Sequence, residues 1–356
     1  MLHRQIHPKK PTMPRLTRHG LRWRAAGLGL VMGMVAGTAF ASDKPEVGLH
    51  TGPGQGWVDG LYEVYLGGFH VADFTGSWFE EPDPVDPDKI RYGGGITLEA
   101  RGMMGMVSGL AAYVEGSGWW TSDQVLDEKA TAADKVLPRP WSEGFVRRFE
   151  NRSKTGEVVI FYDRSEAVQE DQPDSLPLGL PRGLRDGKLE DRVADDLLVG
   201  SVDPLSTFAM IWRIAREAPL NRAIAIPVFN GKLRFDLIAT RHGEQTIEVW
   251  GEERQAISVS LLPIPIEGFS ERHRKSWDGI LVDVFLSADE TRTPLKMVIE
   301  NQKGGLVINR VGDCSDAPRP CPMPQESYGE RWAERDGTRY DLASNPDGEA
   351  EEAQSD

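Results

Sequence analysis

The sequence predicts a mainly β protein in which a curved antiparallel sheet, half-open and barrel-like, wraps around a buried central helix. Three observations carry that expectation. Between Ala223 and Val311, alternating β-branched runs are separated by turn residues, as in half-buried strands. The stretch Asp203–Glu217 is apolar on nearly every side, so it belongs in an interior. Glycine is frequent through the β-like run Ile90–Trp120, which points to bulges and strong curvature.

The helix is the clearest single element. Asp203 suits the N-cap, and Pro204 stands where its missing N–H would have had no partner. Leu205, Phe208, Ala209, Trp212 and Ala215 recur at helical spacing, and Met210, Ile211 and Ile214 make the other side apolar too. Arg213, Arg216 and Glu217 supply its charges, and Pro219 marks the stop.

Residues 1–41 read as a signal peptide rather than as part of the fold. They hold seven Lys and Arg residues and no acid, then an apolar run from Ala25 to Phe40 that ends in Ala39-Phe40-Ala41, a small-x-small cleavage signature. Met13 is an alternative start, and an uncleaved N-terminal membrane anchor is the alternative fate. Export to the periplasm or beyond is the expected localisation. Removing those seven bases from 41 leaves 34 against 55 Asp and Glu, a balance of −21. Such an acidic chain is expected to bind neither nucleic acid nor anionic membrane surfaces.

The β-rich domain is expected over residues 42–311. Leu61–Leu66 and Phe69–Phe79 read as a strand pair around Gly67-Gly68, and Glu80–Asp88 as a proline- and acid-rich loop. Thr121–Pro140 is polar, with a short helix one option. Trp141–Asp163 forms two strands about Ser153–Gly156, Ser165–Arg185 is a loop, and Lys188–Val199 a short amphipathic helix. After the main helix come a strand at Leu233–Thr240, a turn at His242-Gly243, and strands at Thr246–Trp250, Gln255–Pro263, Gly279–Ser287, Leu295–Asn301 and Gly305–Val311. Residues 312–356 are Pro-rich and then acidic, and are expected to be disordered. Cys314 and Cys321 lie within that tail, and in an oxidising compartment they are expected to form a disulfide.

Several short segments carry a resemblance. Asp203-Pro204-Leu205-Ser206 opens a helix ending in Trp212-Arg213-Ile214-Ala215-Arg216. Phe229-Asn230-Gly231-Lys232 enters a strand, and Ala288-Asp289-Glu290 is followed by Thr293-Pro294-Leu295-Lys296-Met297 before Gly304-Gly305. The set resembles the domain-of-unknown-function family numbered 3108, found in exported bacterial proteins, over roughly residues 60–311. That family has no established catalytic residues, so none carries over. The order of strands, helix and more strands is also similar to the half-open barrels of periplasmic lipoprotein carriers, an analogy of architecture alone.

Motifs for catalysis are missing from the sequence. There is no G-x-S-x-G, Walker loop, dinucleotide fingerprint or H-E-x-x-H. The histidines after the leader, His50, His70, His242 and His273, are scattered. The acidic loop Glu80–Asp88 lacks the mid-loop glycine and closing glutamate of an EF-hand, so no metal and no cofactor is expected. Glu252, Glu253, Asp278 and Asp283 stand as solvent-facing strand charges. The tryptophans are the stronger signal: Trp57, Trp78, Trp119, Trp120, Trp141, Trp212, Trp250 and Trp277 are either core or the wall of a groove for an acyl chain or a glycan.

The expectation is therefore a non-enzymatic exported protein that binds an apolar or amphipathic envelope component between sheet and helix. Phe208 and Trp212 are its predicted helix wall and Trp250 its partner from the sheet. The alternatives are a structural protein docking an envelope partner, and an enzyme of unrecognised type. Mass-spectrometric sequencing of the exported protein is expected to find Ser42 at the N-terminus; retention of residues 13–41 would point to the anchor instead.

Overall fold

The computed structural model describes residues 58–82, 89–121, 140–163, 180–190, 192–301 and 304–314. The leader, most of the Glu80–Asp88 loop, the Thr121–Pro140 segment between its first and last residues, and the tail with Cys321 lie outside the described residues. Among those described, fourteen strands run in chain order as β1 Val58–Leu66, β2 Phe69–Pro82, β3 Lys89–Ala100, β4 Ala111–Thr121, β5 Trp141–Asn151, β6 Lys154–Asp163 and β7 Leu180–Arg185. They continue as β8 Lys188–Glu190, β9 Ala223–Phe229, β10 Arg234–Val249, β11 Glu252–Glu267, β12 Leu281–Ser287, β13 Pro294–Asn301 and β14 Gly304–Gly312. The helices are α1 Gly102–Ser108, α2 Asp195–Leu198, α3 Pro204–Glu217 and α4 Glu271–Trp277.

All fourteen strands belong to one sheet, in the order β8-β7-β6-β5-β4-β3-β2-β1-β14-β13-β12-β11-β10-β9. Neighbours pair antiparallel throughout, from β1–β14 in the middle to β7–β8 and β9–β10 at the ends. The sheet is open, with β8 and β9 as its edges. The protein is thus mainly β, built on one long antiparallel sheet.

Helix α3 follows the chain between the two edges. Asp203 is its N-cap, with Oδ1 accepting from the N–H groups of Leu205 (2.8 Å) and Ser206 (2.9 Å). Leu205, Ala209, Met210, Ile211, Trp212, Ile214 and Ala215 are buried, and the helix packs against β4, β5, β9, β10 and β11. Gly116 on β4 faces Leu205 so closely that a Cβ there would sit 3.1 Å from its Cδ2.

Several expectations need correction. Ser165–Arg185 is not all loop, because Leu180–Arg185 forms β7 on the free side of β6. Lys188–Val199 is not one helix: Lys188–Glu190 completes a hairpin, and only Asp195–Leu198 turns helical. The apolar spacing of Leu189, Val193 and Leu197 misled, because Leu189 pairs with Leu184 across that hairpin. His242-Gly243 is no turn. It sits in a bulge of the continuous strand β10, between Arg241 and Glu244, where His242 contacts Ser260 Oγ (2.9 Å) and Asn221 Oδ1 (3.1 Å). The chain reverses instead at Trp250-Gly251, both in the left-handed region. The Ile90–Trp120 run is broken by α1, which reverses the chain between β3 and β4.

The glycines of β3 serve contact rather than bulging. The β2–β3 and β3–β4 ladders run without a register shift through Gly93, Gly94 and Gly95. A Cβ on Gly94 would lie 2.7 Å from the Trp78 ring and 2.9 Å from the Ser77 carbonyl.

Asp203 also accepts through Oδ2 from Ser206 Oγ (2.5 Å), Tyr162 OH (3.4 Å) and Ser142 Oγ. Burial raises its pKa, opposed by the hydrogen bonds from Ser142 and Ser206. A carboxyl whose folded pKa is raised contributes stability below the unfolded value, and loses it as pH rises through the folded one. Asp203→Asn, which keeps an acceptor for the helix N–H groups and carries no charge, is therefore expected to gain stability relative to the parent as pH rises. Asp203→Ala is expected to cost about 2–4 kcal/mol by losing the cap and leaving buried hydroxyls without an acceptor. Urea denaturation from pH 4 to pH 8 measures both; a parent–Asn difference that stays constant with pH would refute the raised pKa.

Candidate functional site

The site is a cavity of about 130 Å³ between α3 and the middle of the sheet. Period-2 alternation supplies its walls. Tyr62 and Val64 come from β1, Phe74, Gly76 and Trp78 from β2, and Ile96 and Leu98 from β3. Val284 and Leu286 on β12, Met297 on β13 and Ile308 on β14 close the far side. Leu205, Phe208 and Trp212 meet them at i, i+3 and i+7 of the helix, joined by Ile211. The lining is almost entirely carbon.

An aromatic column holds one side of the cavity rigid. Trp78 stacks between Trp212 (5.9 Å, 19°) and Tyr92 (5.5 Å, 18°), and Tyr92 leans on Trp120 at 5.2 Å. Arg213 lies over the Trp120 ring at 5.2 Å. Hydrogen bonds fix two of its members: Trp212 Nε1 donates to the Thr291 carbonyl (3.2 Å), and Tyr92 OH meets Ser206 Oγ (2.8 Å). Tyr62 OH donates to the Pro294 carbonyl at 3.1 Å, and burial raises its pKa well above the usual phenol value.

The structure brings Phe208 and Trp212 together on this wall and leaves Trp250 out. Trp250 sits at the tip of the β10–β11 hairpin, 50% exposed with φ 54°, its ring edge-on to Tyr65 at 5.5 Å. Its expected place on the sheet wall is corrected for a physical reason. The expectation ended a strand at Trp250, whereas β10 and β11 extend past the sheet and carry the residue to a turn. Trp119 is covered by Lys89, and Trp277 packs against Phe235 and Phe269. Trp57 and the Trp141 side chain lie outside the described residues. Alternation revealed which strand residues share a face, but not that Tyr62, Phe74, Met297 and Ile308 face one another across the interior.

Tyr62 and Lys296 are the titratable residues of the lining, and Lys296 Nζ donates to the Glu248 carbonyl at 3.1 Å. Arg216 donates to Glu80 Oε2 (2.7 Å); burial raises the Glu80 pKa, and the Arg216 charge opposes that rise. Glu63, His70 and Asp73 offer ligand atoms within 4.8 Å of one another. Their oxygens are already engaged: Tyr65 OH donates to Glu63 (2.6 Å), Arg101 Nε to Asp73 Oδ2 (2.5 Å), and His70 Nε2 lies 2.7 Å from Asp73 Oδ1. Of the suspected carboxylates, Asp283 accepts from Ser260 Oγ at 2.5 Å. At the end of β14, Cys314 N–H donates to Asp59 Oδ1 (3.2 Å).

No family model matches the chain, and no curated protein matches it. Among solved structures, the chain is similar to a β-barrel-like protein of the domain of unknown function DUF1849 from Brucella abortus. The TM-score is 0.40 at 8% identity, over 71% of this chain and 95% of that one. Aeromonas veronii immune modulator A aligns with a TM-score of 0.17 at 9% identity, over 80% of this chain and 99% of that one.

Truncating Trp212 removes a ring from the column and enlarges a void the sheet cannot close. Trp212→Ala is expected to destabilise by about 3–5 kcal/mol in equilibrium denaturation. A loss under about 1 kcal/mol would mean the helix face adds little to the core.

Proposed function

We propose that the protein is an exported, non-enzymatic binder of an apolar or amphipathic envelope component. In this reading the sheet curls as a half-open barrel around α3, and the ligand lies between them against Phe208 and Trp212. The observation that supports it is the cavity. Its volume of about 130 Å³ is close to the roughly 150 Å³ at which an apolar cavity stays dry and takes up benzene. A void of this size and lining suits a ring or several carbons of an alkyl chain. The expected leader peptide, the tail disulfide Cys314–Cys321 and the resemblance to the family numbered 3108 belong to the same proposal.

A second reading, docking of an envelope protein, rests on α1. None of its residues is buried, and Met103, Met106 and Val107 are 66% to 75% exposed, as is Phe69 on the adjacent hairpin. Solvent-facing apolar side chains in one segment favour a contact surface. The enzyme reading has no comparable support, since the buried carboxylate of Asp203 is occupied by donors from the helix and the sheet.

Native mass spectrometry of protein isolated from its own compartment is expected to show a bound small molecule. Val284→Phe, which fills the cavity, is expected to weaken binding of the fluorescent probe N-phenyl-1-naphthylamine by about tenfold or more. Unchanged probe binding in a folded Val284→Phe protein would place the ligand elsewhere.

A further inference from the structure

The polar atoms of the cavity wall are few, and most of them already have partners. Trp212 Nε1 donates to the Thr291 carbonyl, and Tyr62 OH to the Pro294 carbonyl. The Lys296 ammonium is held by the Glu248 carbonyl. Trp78 is the exception. It lines the cavity and is 6% exposed, and its Nε1 is buried with no hydrogen-bond acceptor among the described residues. An indole N–H can only donate, and a buried donor left unpaired carries its full desolvation cost.

The packing around the ring shows which way that donor faces. Tyr92 and Trp212 stack on it, with ring centroids at 5.5 Å and 5.9 Å. Its benzo edge leans on β3, where a Cβ on Gly94 would meet Cε3 at 2.7 Å and Cζ3 at 3.3 Å. Nε1 lies on the opposite edge of the indole. β3 and β1 flank β2 on its two sides, so that edge is turned toward β1. This is the side on which Tyr62 of β1 lines the cavity. A phenylalanine at position 78 would stack on the same rings and bury no donor. The tryptophan adds an N–H for which the surrounding residues supply no acceptor.

We propose that the ligand of the cavity is an uncharged molecule with an acceptor oxygen, a ketone, ester or ether on an apolar ring or short chain, and that this oxygen accepts from Trp78 Nε1. This rests on the ligand-binding reading above. A carbonyl or ether oxygen has lone pairs to offer and no donor of its own to satisfy. A pure hydrocarbon would fill the space and leave the N–H unpaired. A single N–H cannot replace the water around a carboxylate or phosphate, and the ammonium of the lining is held at Glu248, so an anion would enter at a loss.

The test is titration of the intact mature protein, its indole nitrogens isotope-labelled for NMR, with acetophenone, α-methylstyrene and benzoate. α-Methylstyrene keeps the shape of acetophenone with a carbon in place of the carbonyl oxygen, and benzoate puts a charge there. The Trp78 indole proton is assigned by its loss in Trp78→Phe, or by nuclear Overhauser contacts to the Tyr92 ring where that variant fails to fold. It is expected to move downfield with acetophenone and not with α-methylstyrene. Benzoate is expected to bind about tenfold or more weaker than acetophenone. Trp78→Phe is expected to lower the ratio of acetophenone to α-methylstyrene affinity by about fivefold or more. An equal response of the indole proton to both, a ratio unchanged in folded Trp78→Phe, or benzoate binding as tightly as acetophenone would overturn the proposal and leave the binding reading standing. Failure of all three probes to bind would remove both.

Discussion

The position of α3 depends on the carboxylate of Asp203. Two helix N–H groups and the hydroxyls of Ser142, Ser206 and Tyr162 converge on its two oxygens, in an environment that excludes water. Burial of this carboxyl raises its pKa, and five donors at the positive end of a helix offset part of that cost while fixing where the helix starts. The donors come from α3, β5 and β6, so one side chain ties the helix start to the wall it faces. The register of Trp212 against Trp78, and with it the roof of the cavity, follows from that anchor.

An open sheet of fourteen strands has two edges to protect. β8 is three residues long, too short to template further pairing. β9 is covered by the chain entering α3: Val202 forms a parallel bridge to Val228, its N–H donating to Pro227 and its carbonyl accepting from Phe229, both at 2.9 Å. The Gly183–Gly231 approach brings β7 against the turn after β9. A side chain at Gly183 would meet backbone, so only glycine permits this contact. The edges are thus managed by the segment that delivers the helix, without a closing ladder.

Much of this was legible in the residues. Asp203, Pro204 and Pro219 mark both ends of α3 because caps and prolines act locally. Strands with clean alternation, such as Arg234–Thr240, were legible for the same reason. What escaped depended on partners distant in sequence. Leu189 and Val193 mimic a helical stripe, but Leu189 is a hairpin residue whose partner is Leu184. α1 is apolar without being buried, so its pattern resembled the strands on either side. Trp250 looked like wall material because an aromatic at a strand end usually packs inward; a hairpin that outruns its sheet reversed that.

The cavity of about 130 Å³ is partly open to solvent, and the apolar side chains around it lack packing partners on that side. The remedy lies within reach of a single substitution, since Gly76, Val64 and Val284 all border the space. Met297, a flexible and partly exposed filler, stands beside it and leaves it open. An aromatic column braced by hydrogen bonds at Trp212 and Tyr92 forms the opposite wall. A void between braced walls, beside room for larger side chains, is the feature on which the proposed ligand binding rests.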